Sequence, residues 1–263
     1  MIVVTTGSGT ITRTLVDVSH SREAGTIIRR LGSRFGGSGE GADFPPGSLD
    51  FTRTVVDIGA NDGFLSSNSF NLAQLGWSTV LIEPNPEQME LAKRNQEPYI
   101  DAYGEGRQNS CYLQAAVSPD DEDGEATLFL TSDAASMESH LSKLQTKGQR
   151  KRAEKLRGGK ATGEGKREIK VDTVSVGTVA GRCNLSKRFG VLSVDVEGVG
   201  DTVLSKWLEG GYRPEYVIYE PMHNKGGRRK KTEEELRDAG YERMGKMGWN
   251  EVYEYRDKGE GNV

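Results

Sequence analysis

Residues 55–63 constrain the fold of this chain more than any other segment. They read Val-Val-Asp-Ile-Gly-Ala-Asn-Asp-Gly, an apolar run that passes directly into a turn with glycines at positions 59 and 63. This order is typical of a buried strand that enters a helix. Glycines let the backbone approach a ligand closely, and the exposed amides of such a turn favour a carboxylate or phosphate. We interpret the turn as a ligand-binding loop; the alternative is a tight turn that binds nothing.

From residue 51 onward, short apolar runs alternate with helical spacing. The predicted strands cover residues 54–58, 80–82, 112–117, 191–196 and 216–219. The predicted helices cover residues 66–75, 86–95 and 200–208. Such alternation predicts an α/β fold in which a mostly parallel sheet has helices on both faces. Two further strands at 241–244 and 251–255, joined by a glycine-containing turn, predict an antiparallel hairpin at the C-terminal edge of the sheet.

The sequence divides into two parts around residue 50. Residues 1–50 are interpreted as an N-terminal accessory segment, with a strand at 11–18, a helix at 22–35 and a Gly- and Pro-rich linker after it. Residues 51–263 form the main domain. Within that domain, Thr232 and Glu235 have the spacing of a capping box, which predicts a short helix that ends near Gly240.

A basic insert interrupts the main domain at residues 143–170. It holds eleven Lys and Arg against three Glu, a local charge of +8 in a chain whose formal net charge is -4. Because it has few apolar residues, it cannot bury enough surface to offset its ordering entropy, and we expect a mobile loop or a solvated helix. The negative total excludes a globally basic nucleic-acid binder, and we expect no nucleic-acid partner.

The two cysteines and the hydropathy limit the cellular compartments in which the protein is expected. Cys111 and Cys183 are too few for the disulfide framework of a small secreted domain. We therefore expect a reducing compartment, with both cysteines buried or incidental. No apolar run approaches the roughly 18 residues that a membrane-spanning helix needs, so no membrane partner is expected. The prediction is a cytoplasmic protein, and organellar targeting stays open because the N-terminus carries Ser, Thr and Arg.

Glu83 strengthens the interpretation of the glycine turn. It ends the second predicted strand, 24 residues after Gly59, in the run Leu-Ile-Glu-Pro-Asn-Pro. An acid at this place in an α/β nucleotide fold lies beside the ligand crevice and accepts hydrogen bonds from ribose hydroxyls. The G-x-G-x-x-G fingerprint of dinucleotide-binding proteins is absent. Together these observations predict a ribose-containing cofactor other than a dinucleotide.

Four motifs in this order resemble the FkbM family of class I S-adenosylmethionine-dependent methyltransferases. They are VVDIGANDG, LIEPNP, QAAVS at residues 114–118, and VLSVDVEG at residues 191–198, which is followed by a helix and YVIYE. The resemblance covers roughly residues 51–222. It implies a Rossmann-like, seven-stranded sheet whose last strand in chain order is antiparallel to the others. The sequence His20-Ser-Arg-Glu23 also resembles the Tyr-Ser-Gln segment that precedes the fold in many members.

The resemblance implies S-adenosyl-L-methionine as cofactor and assigns its contacts position by position. The residues that match the motif for the methionine part are Asp57, Gly59, Asn61 and Gly63. Glu83 matches the acid that binds the ribose, whereas Gln114 and Ala115 match the place where the third strand meets the adenine. The family commonly has Asn or Asp near the position of Gln114. The implied activity is O-methylation of a small metabolite or sugar-like acceptor.

The DVEG motif also suggests catalytic residues by physical reasoning. Asp195 and Glu197 are two residues apart, so they point to one side of a continuing strand, and Glu220 ends the neighbouring strand. Acids that converge near a crevice repel one another, so at least one should have a raised pKa, which suits a general base. His223 follows closely and histidine titrates near neutral pH. We predict Asp195, Glu197 and His223 as the catalytic residues.

Several alternatives stay open at this point. The same residues could ligate a divalent metal, although the resemblance requires none and we predict no metal. Glu197 could merely place a negative charge at the start of the next helix. A methyltransferase-like scaffold that binds cofactor plus RNA or protein without turnover is the main rival function. A dinucleotide-dependent oxidoreductase is the second rival.

Overall fold

A computed structural model describes residues 2–4, 13–34, 49–100, 110–130, 140–141, 167–196, 198–221 and 227–256. The strands of this part are β1 (Ile2–Val4), β2 (Arg13–Leu15), β3 (Thr52–Ile58), β4 (Ser78–Ile82), β5 (Cys111–Leu113), β6 (Ala116–Val117), β7 (Gly124–Leu130), β8 (His140–Leu141), β9 (Arg167–Val174), β10 (Phe189–Val194), β11 (Tyr216–Tyr219), β12 (Tyr241–Met247) and β13 (Asn250–Tyr255). The helices are α1 (Glu23–Arg34), α2 (Phe70–Gln74), α3 (Pro86–Ile100), α4 (Val176–Arg182), α5 (Gly200–Glu209) and α6 (Arg228–Asp238).

Seven strands form the central sheet, in the order β12-β13-β11-β10-β3-β4-β5. Neighbours from β11 to β5 are parallel, whereas β13 is antiparallel to both β11 and β12. Only the last strand in chain order therefore runs against the others. The predicted α/β class, the mostly parallel sheet and the antiparallel C-terminal hairpin are confirmed.

Alternation along the strands creates two cores, one on each face of the sheet. On β3, Val55 belongs to the first core, whereas Val56 and Ile58 belong to the second. Helices α1 and α2 cover the first face, and α3 packs on the same side through Met89 and Ala92. The other face is covered by α4, α5 and α6. The prediction of helices on both faces is confirmed, and burial of both faces fixes the strand register.

Helix α1, which the sequence assigns to the accessory segment, packs directly on the sheet. Ile27, Ile28 and Leu31 lie in the first core with Val55 and Tyr216. The apolar residues recur at helical spacing, which gives the helix one buried face. This helix therefore contributes to the main core, while the linker at residues 36–47 lies outside the described residues.

A second sheet, absent from the sequence predictions, has the order β6-β9-β7-β8. Strand β9 pairs antiparallel with β7 through residues 167–173 and parallel with β6 through Thr173 and Val174. The single strand predicted over residues 112–117 is wrong, because it is interrupted at Gln114 and its halves, β5 and β6, join different sheets. The end of the basic insert, residues 167–170, is also strand and not loop. Residues 143–166 lie outside the described residues.

The interpretation of the cysteines as incidental is wrong. Cys111 at the start of β5 and Cys183 after α4 form a disulfide with a Cα–Cα distance of 5.6 Å. The two cysteines are 72 positions apart in the sequence, and the chain between them includes the second sheet. Disulfides persist mainly in oxidising compartments, so the pair weighs against the reducing compartment expected from composition. No helix in the described ranges is long and apolar enough to cross a membrane.

Helix α6 corrects a local prediction. It begins at Arg228 with Gly227 as its N-cap, one turn before the predicted capping box. Thr232 lies inside the helix and donates its hydroxyl to the Arg228 carbonyl oxygen at 3.2 Å. The backbone of Gly227 has φ +91°, a value that glycine adopts without steric cost. The helix therefore starts where glycine permits the turn, and its buried Leu236 fixes it to the second core.

Candidate functional site

Several polar residues lie in one row along the C-terminal edge of the parallel strands. The register pairs Ile58 with Ile82 and with Val194, so the residues one position further along the chain also lie side by side. Extending this register across the sheet aligns Gln114, Glu83, Gly59, Asp195, Glu220 and Asn250. Ligands of open α/β sheets bind outside this edge, so the row marks the candidate site.

The glycine turn is built against two neighbouring strands. The amide of Gly59 donates to the Ile82 carbonyl oxygen at 2.9 Å, and the Asp195 amide donates to the Ile58 carbonyl oxygen at 3.0 Å. Gly59 has φ +83°, and a Cβ there would overlap the carbonyl oxygen of Asp195. The strand therefore requires glycine at this position for two independent reasons.

The end of the turn is equally restricted. Asn61 has φ +49° and Gly63 has φ +66°. A Cβ on Gly63 would lie 3.0 Å from Ala92 of α3, which is shorter than the usual distance between a Cβ and a neighbouring atom. Asn is one of the few side chains that adopts left-handed backbone readily. These conformations turn the chain sharply at the sheet edge. The amides of Ala60 and Gly63 donate to the Ile82 and Ala60 carbonyl oxygens, so the exposed amides expected from the sequence are not found at these positions.

Glu83 supports the same turn from β4. Its Oε2 accepts a hydrogen bond from the Asn61 amide at 3.0 Å, and its Oε1 accepts one from the Asn85 amide at 2.8 Å. The side chain is buried, with 7% exposure. Burial raises the pKa of Glu83 to about 7, although both amide hydrogen bonds act to lower it. Each carboxylate oxygen has a further lone pair for a ligand hydroxyl.

Asp57 is a buried acid beneath the glycine turn. It is 3% exposed and accepts a hydrogen bond from the Ser69 hydroxyl at 2.7 Å. Gln96 of α3 donates to the same hydroxyl and to the Gly63 carbonyl oxygen, each at 3.0 Å. Burial raises the pKa of Asp57 against the hydrogen bonds from Ser69 and Ser193. This polar network holds α2, α3 and the glycine turn together beneath the edge.

The predicted catalytic residues are described only in part. Asp195 directly follows β10 and is half-buried, and burial raises its pKa above the ordinary range although a hydrogen bond with Glu220 acts to lower it. The structure therefore brings Asp195 and Glu220 together. Glu197 and His223 lie outside the described residues. Within the described part, no group of three or more His, Cys, Asp or Glu is arranged to hold a metal ion.

Gln114 and Ala115 follow β5 at one end of the row. The side chain of Gln114 is exposed, whereas Ala115 is 3% exposed and belongs to the second core. The Ala115 amide donates to the Leu113 carbonyl oxygen at 2.9 Å, which bends the chain away from the strand. The bend presents the backbone and the Gln114 side chain at the edge beside Glu83.

Sequence reasoning missed the residues that close the other end of the row. Glu23, the first residue of α1, is fully buried and accepts a hydrogen bond from the Asn250 side-chain amide at 2.7 Å. His20 precedes it in the chain and stacks on Trp249, with ring centroids 5.3 Å apart. The resemblance of His20-Ser-Arg-Glu23 to a family segment was the one signal that could have found them.

The chain is similar to one protein family and, more weakly, to several solved structures. The model of the methyltransferase FkbM domain matches residues 57–243, which is more than half of the chain. Among solved structures, methyltransferase FkbM from Methylobacillus flagellatus KT is 14% identical, with a TM-score of 0.43 over 79% of this chain and 45% of that one. Ribosomal protein L11 methylase from Lactobacillus delbrueckii subsp. bulgaricus is 12% identical, with a TM-score of 0.34 over 77% of this chain and 70% of that one.

The extent of these matches differs. The chain spans less than half the length of the Methylobacillus structure. No curated protein matches the sequence significantly. The domain match includes the glycine turn, Glu83 and Asp195 and ends within the first strand of the C-terminal hairpin. By that match, the chain belongs to the FkbM methyltransferase family.

Proposed function

We propose that the protein methylates a hydroxyl oxygen of a small, sugar-like metabolite with S-adenosylmethionine as the methyl donor. The observation that carries the proposal is the pairing of Glu83 with the glycine turn. A buried carboxylate there accepts the Asn61 amide at 3.0 Å, beside backbone that only glycine can form. This combination suits a ligand that has hydroxyl groups at one end and needs close backbone contact at the other.

The residues present fit the cofactor. Gly59 packs directly against the Asp195 carbonyl, which keeps the turn close to the sheet edge, and the carboxylate of Glu83 keeps acceptor capacity for ribose hydroxyls. S-adenosylmethionine, when bound, supplies an electrophilic methyl group on a cationic sulfur. Glu83 would hold the ribose, and Gln114 and Ala115 would meet the adenine. The methionine part would lie along Asp57, Gly59, Asn61 and Gly63.

Asp195 is the described acid best placed to assist the acceptor. Burial raises its pKa, which makes its carboxylate a stronger base. A hydrogen bond with its neighbour Glu220 acts to lower that pKa. Glu197 and His223 follow the same two strands in sequence, and their proposed roles rest on that position alone. Alignment of donor and acceptor would supply most of the rate, with modest assistance from the base.

Calorimetric titration with S-adenosylhomocysteine tests the cofactor assignment. Glu83→Ala should weaken binding at least tenfold, about 1.4 kcal/mol, because it deletes a hydrogen-bond acceptor for the ribose and the support of the Asn61 amide. Glu90→Ala, which removes an exposed acid from α3, should bind like the wild type. Unchanged affinity in a folded Glu83→Ala protein would refute the assignment.

The same titration separates the rival functions. Binding of NAD in place of S-adenosylhomocysteine would favour an oxidoreductase. Binding of short RNA together with absent methyl transfer to a metabolite extract would favour a scaffold. We expect neither result, and we expect labelled methyl groups from S-adenosylmethionine to appear in a small metabolite.

A further inference from the structure

A short turn at residues 19–22 is fastened to the start of α1. The Gly25 amide donates to Asp17 Oδ2 at 2.9 Å, and the Ala24 amide donates to Ser19 Oγ at 3.2 Å. These bonds satisfy two of the amides that every helix start leaves open. The Ser21 amide donates to Glu23 Oε2 at 2.7 Å. The position of His20 is therefore fixed by the capping of a long, buried helix.

The same turn is also tied to the loop that follows the glycine turn. Ser19 forms an isolated parallel bridge with Ser66. Asn71 of α2 accepts from the Val18 amide at 3.0 Å and donates to the Val16 carbonyl oxygen at 2.8 Å. The segment that carries His20 is therefore held beside the loop that leads from the glycine turn into α2.

On its other side, the turn meets the β12–β13 hairpin. A Cβ on Gly248 would overlap the Ser21 hydroxyl, so the two loops are in close contact. The imidazole of His20 stacks on the indole of Trp249 at an interplanar angle of 28°. Its Nδ1 lies 3.1 Å from Ser21 Oγ. An incoming hydroxyl group would therefore meet the Nε2 atom of the ring.

Trp249 differs from the other two tryptophans of the chain. It is 58% exposed, whereas Trp77 and Trp207 are buried. An exposed aromatic ring offers a flat apolar face to a partner or ligand. The stacked pair of His20 and Trp249 forms an aromatic surface whose open side is available for such contact.

This aromatic surface lies at the acidic end of the row. Glu23 binds Asn250, which the register places beside Glu220 and, one strand further, Asp195. The charges of both His20 and Glu23 act on the pKa of Asp195. The His20 turn and the acids therefore face one region outside the sheet edge, next to the glycine turn.

We propose that His20, Trp249 and Asp195 form the binding site for the methyl acceptor, and that the acceptor is an uncharged ring bearing hydroxyl groups. This inference rests on the proposed function. The aromatic pair would cover the apolar face of such a ring, while Asp195 and His20 Nε2 would accept hydrogen bonds from its hydroxyls. The neighbouring carboxylates Glu23 and Glu220 would repel a phosphorylated acceptor.

Tryptophan fluorescence provides a direct test because Trp249 is the exposed indole. Acrylamide quenching is measured while methyl glucopyranoside or glucose 6-phosphate is added, with and without saturating S-adenosylhomocysteine. The uncharged glycoside should protect Trp249 from quenching, with at least tenfold higher affinity than the phosphate. In Trp249→Phe the remaining emission, from Trp77 and Trp207, should not respond. Absent protection by the glycoside, or equal protection by the phosphate, would overturn the proposal.

Variants extend the test to turnover on a panel of methyl glycosides. Trp249→Ala should raise KM at least tenfold, and His20→Ala should lower kcat/KM at least tenfold, while S-adenosylhomocysteine affinity stays within twofold in both. Lys246→Ala, which alters an exposed residue of the same hairpin, should match the wild type. Wild-type kinetics in the His20 and Trp249 variants would reject the proposed acceptor site but not the proposed function. Failure of the wild type to bind S-adenosylhomocysteine would instead reject the proposed function.

Discussion

Glu254 and Glu215, at the N-terminal end of the parallel strands, differ from Asp57, Glu83 and Asp195, at the C-terminal end, in what surrounds them. At the N-terminal end, Glu254 accepts hydrogen bonds from Arg30 and Arg34 at 3.1 Å and forms an ion pair with Arg256 at 2.6 Å. Glu215, beside it, forms ion pairs with Arg34 and Arg188. At the C-terminal end, within the described ranges, no arginine or lysine forms an ion pair with Asp57, Glu83 or Asp195.

The pKa values follow this difference in part. Burial acts to raise the pKa of Glu254, but the hydrogen bonds from Arg30 and Tyr216 and the nearby arginine charges outweigh it and lower the value. Burial still raises the pKa of Glu215 against Arg34 and Arg188. At the other end, burial dominates for all three acids. Acids that the protein neutralises itself are structural, whereas acids served only by amides, hydroxyls and other carboxyls remain open to a ligand.

The largest expected effect is on turnover at the C-terminal end. Asp195→Asn should lower kcat roughly 10²-fold, because the amide keeps the shape and removes the charge and basicity. Cofactor affinity should change less than threefold. Stability at pH 8 should not fall, since an acid whose pKa is raised in the folded state costs stability once it ionises. The measurements are steady-state kinetics, calorimetry and thermal unfolding.

Two outcomes would contradict this assignment. If wild-type activity is lost in EDTA and restored by Mg²⁺ or Mn²⁺, the acids act as metal ligands and not as a base. If Asp195→Asn retains its kcat in the absence of metal, the acceptor needs no base at this position.

At the N-terminal end, the same kind of substitution should affect stability and not function. Glu254→Gln leaves Arg30, Arg34 and Arg256 without their shared carboxylate, which should cost about 2 kcal/mol in the free energy of unfolding. We place the value below that of a fully buried pair because these arginines are 30–40% exposed and can be hydrated. Denaturant unfolding measures the loss. If the variant keeps its stability but loses affinity for S-adenosylhomocysteine, Glu254 has a functional and not a structural role.

The smallest expected effect is a pH dependence of cofactor binding. The pKa of Glu83 is raised by burial to about 7, and ribose hydroxyls donate to its charged form. Binding therefore releases a proton, and affinity should fall as the pH falls, by about tenfold between pH 8 and pH 6. Calorimetry with S-adenosylhomocysteine across this range measures the change. Glu83→Gln should bind weakly and nearly independently of pH; an equally steep dependence in that variant would assign the titration to another acid.

Much of the fold followed from local patterns. The strands that form β3, β4, β10 and β11 were predicted within two residues at each end, because buried parallel strands are short apolar runs bounded by polar residues. The second sheet was missed. Its strands β7 and β9 bury only a few apolar residues on one face, including Ala126, Leu128 and Val171, and the surrounding charge obscures that alternation.

The N-terminal segment shows what local sequence patterns cannot predict. Its helix was predicted from the spacing of Ile27, Ile28 and Leu31, but the pattern shows only that one face is apolar and not which surface covers it. The structure places that face on the sheet beside Val55 and Tyr216. The pairing of Cys111 with Cys183 was likewise invisible, because it depends on the distance between β5 and the end of α4.

The sequence by itself determined the half of the site that follows the parallel strands. The glycine turn, Glu83 and Asp195 each come directly after an apolar strand, and the C-terminal ends of parallel strands share one edge, so their proximity follows from chain order. Tertiary structure alone decided the other half. Glu23 and Asn250 meet although 227 residues separate them, and His20 stacks on Trp249 for the same reason. Such contacts depend on how α1 and the C-terminal hairpin pack on the sheet, and no local period in a sequence encodes that packing.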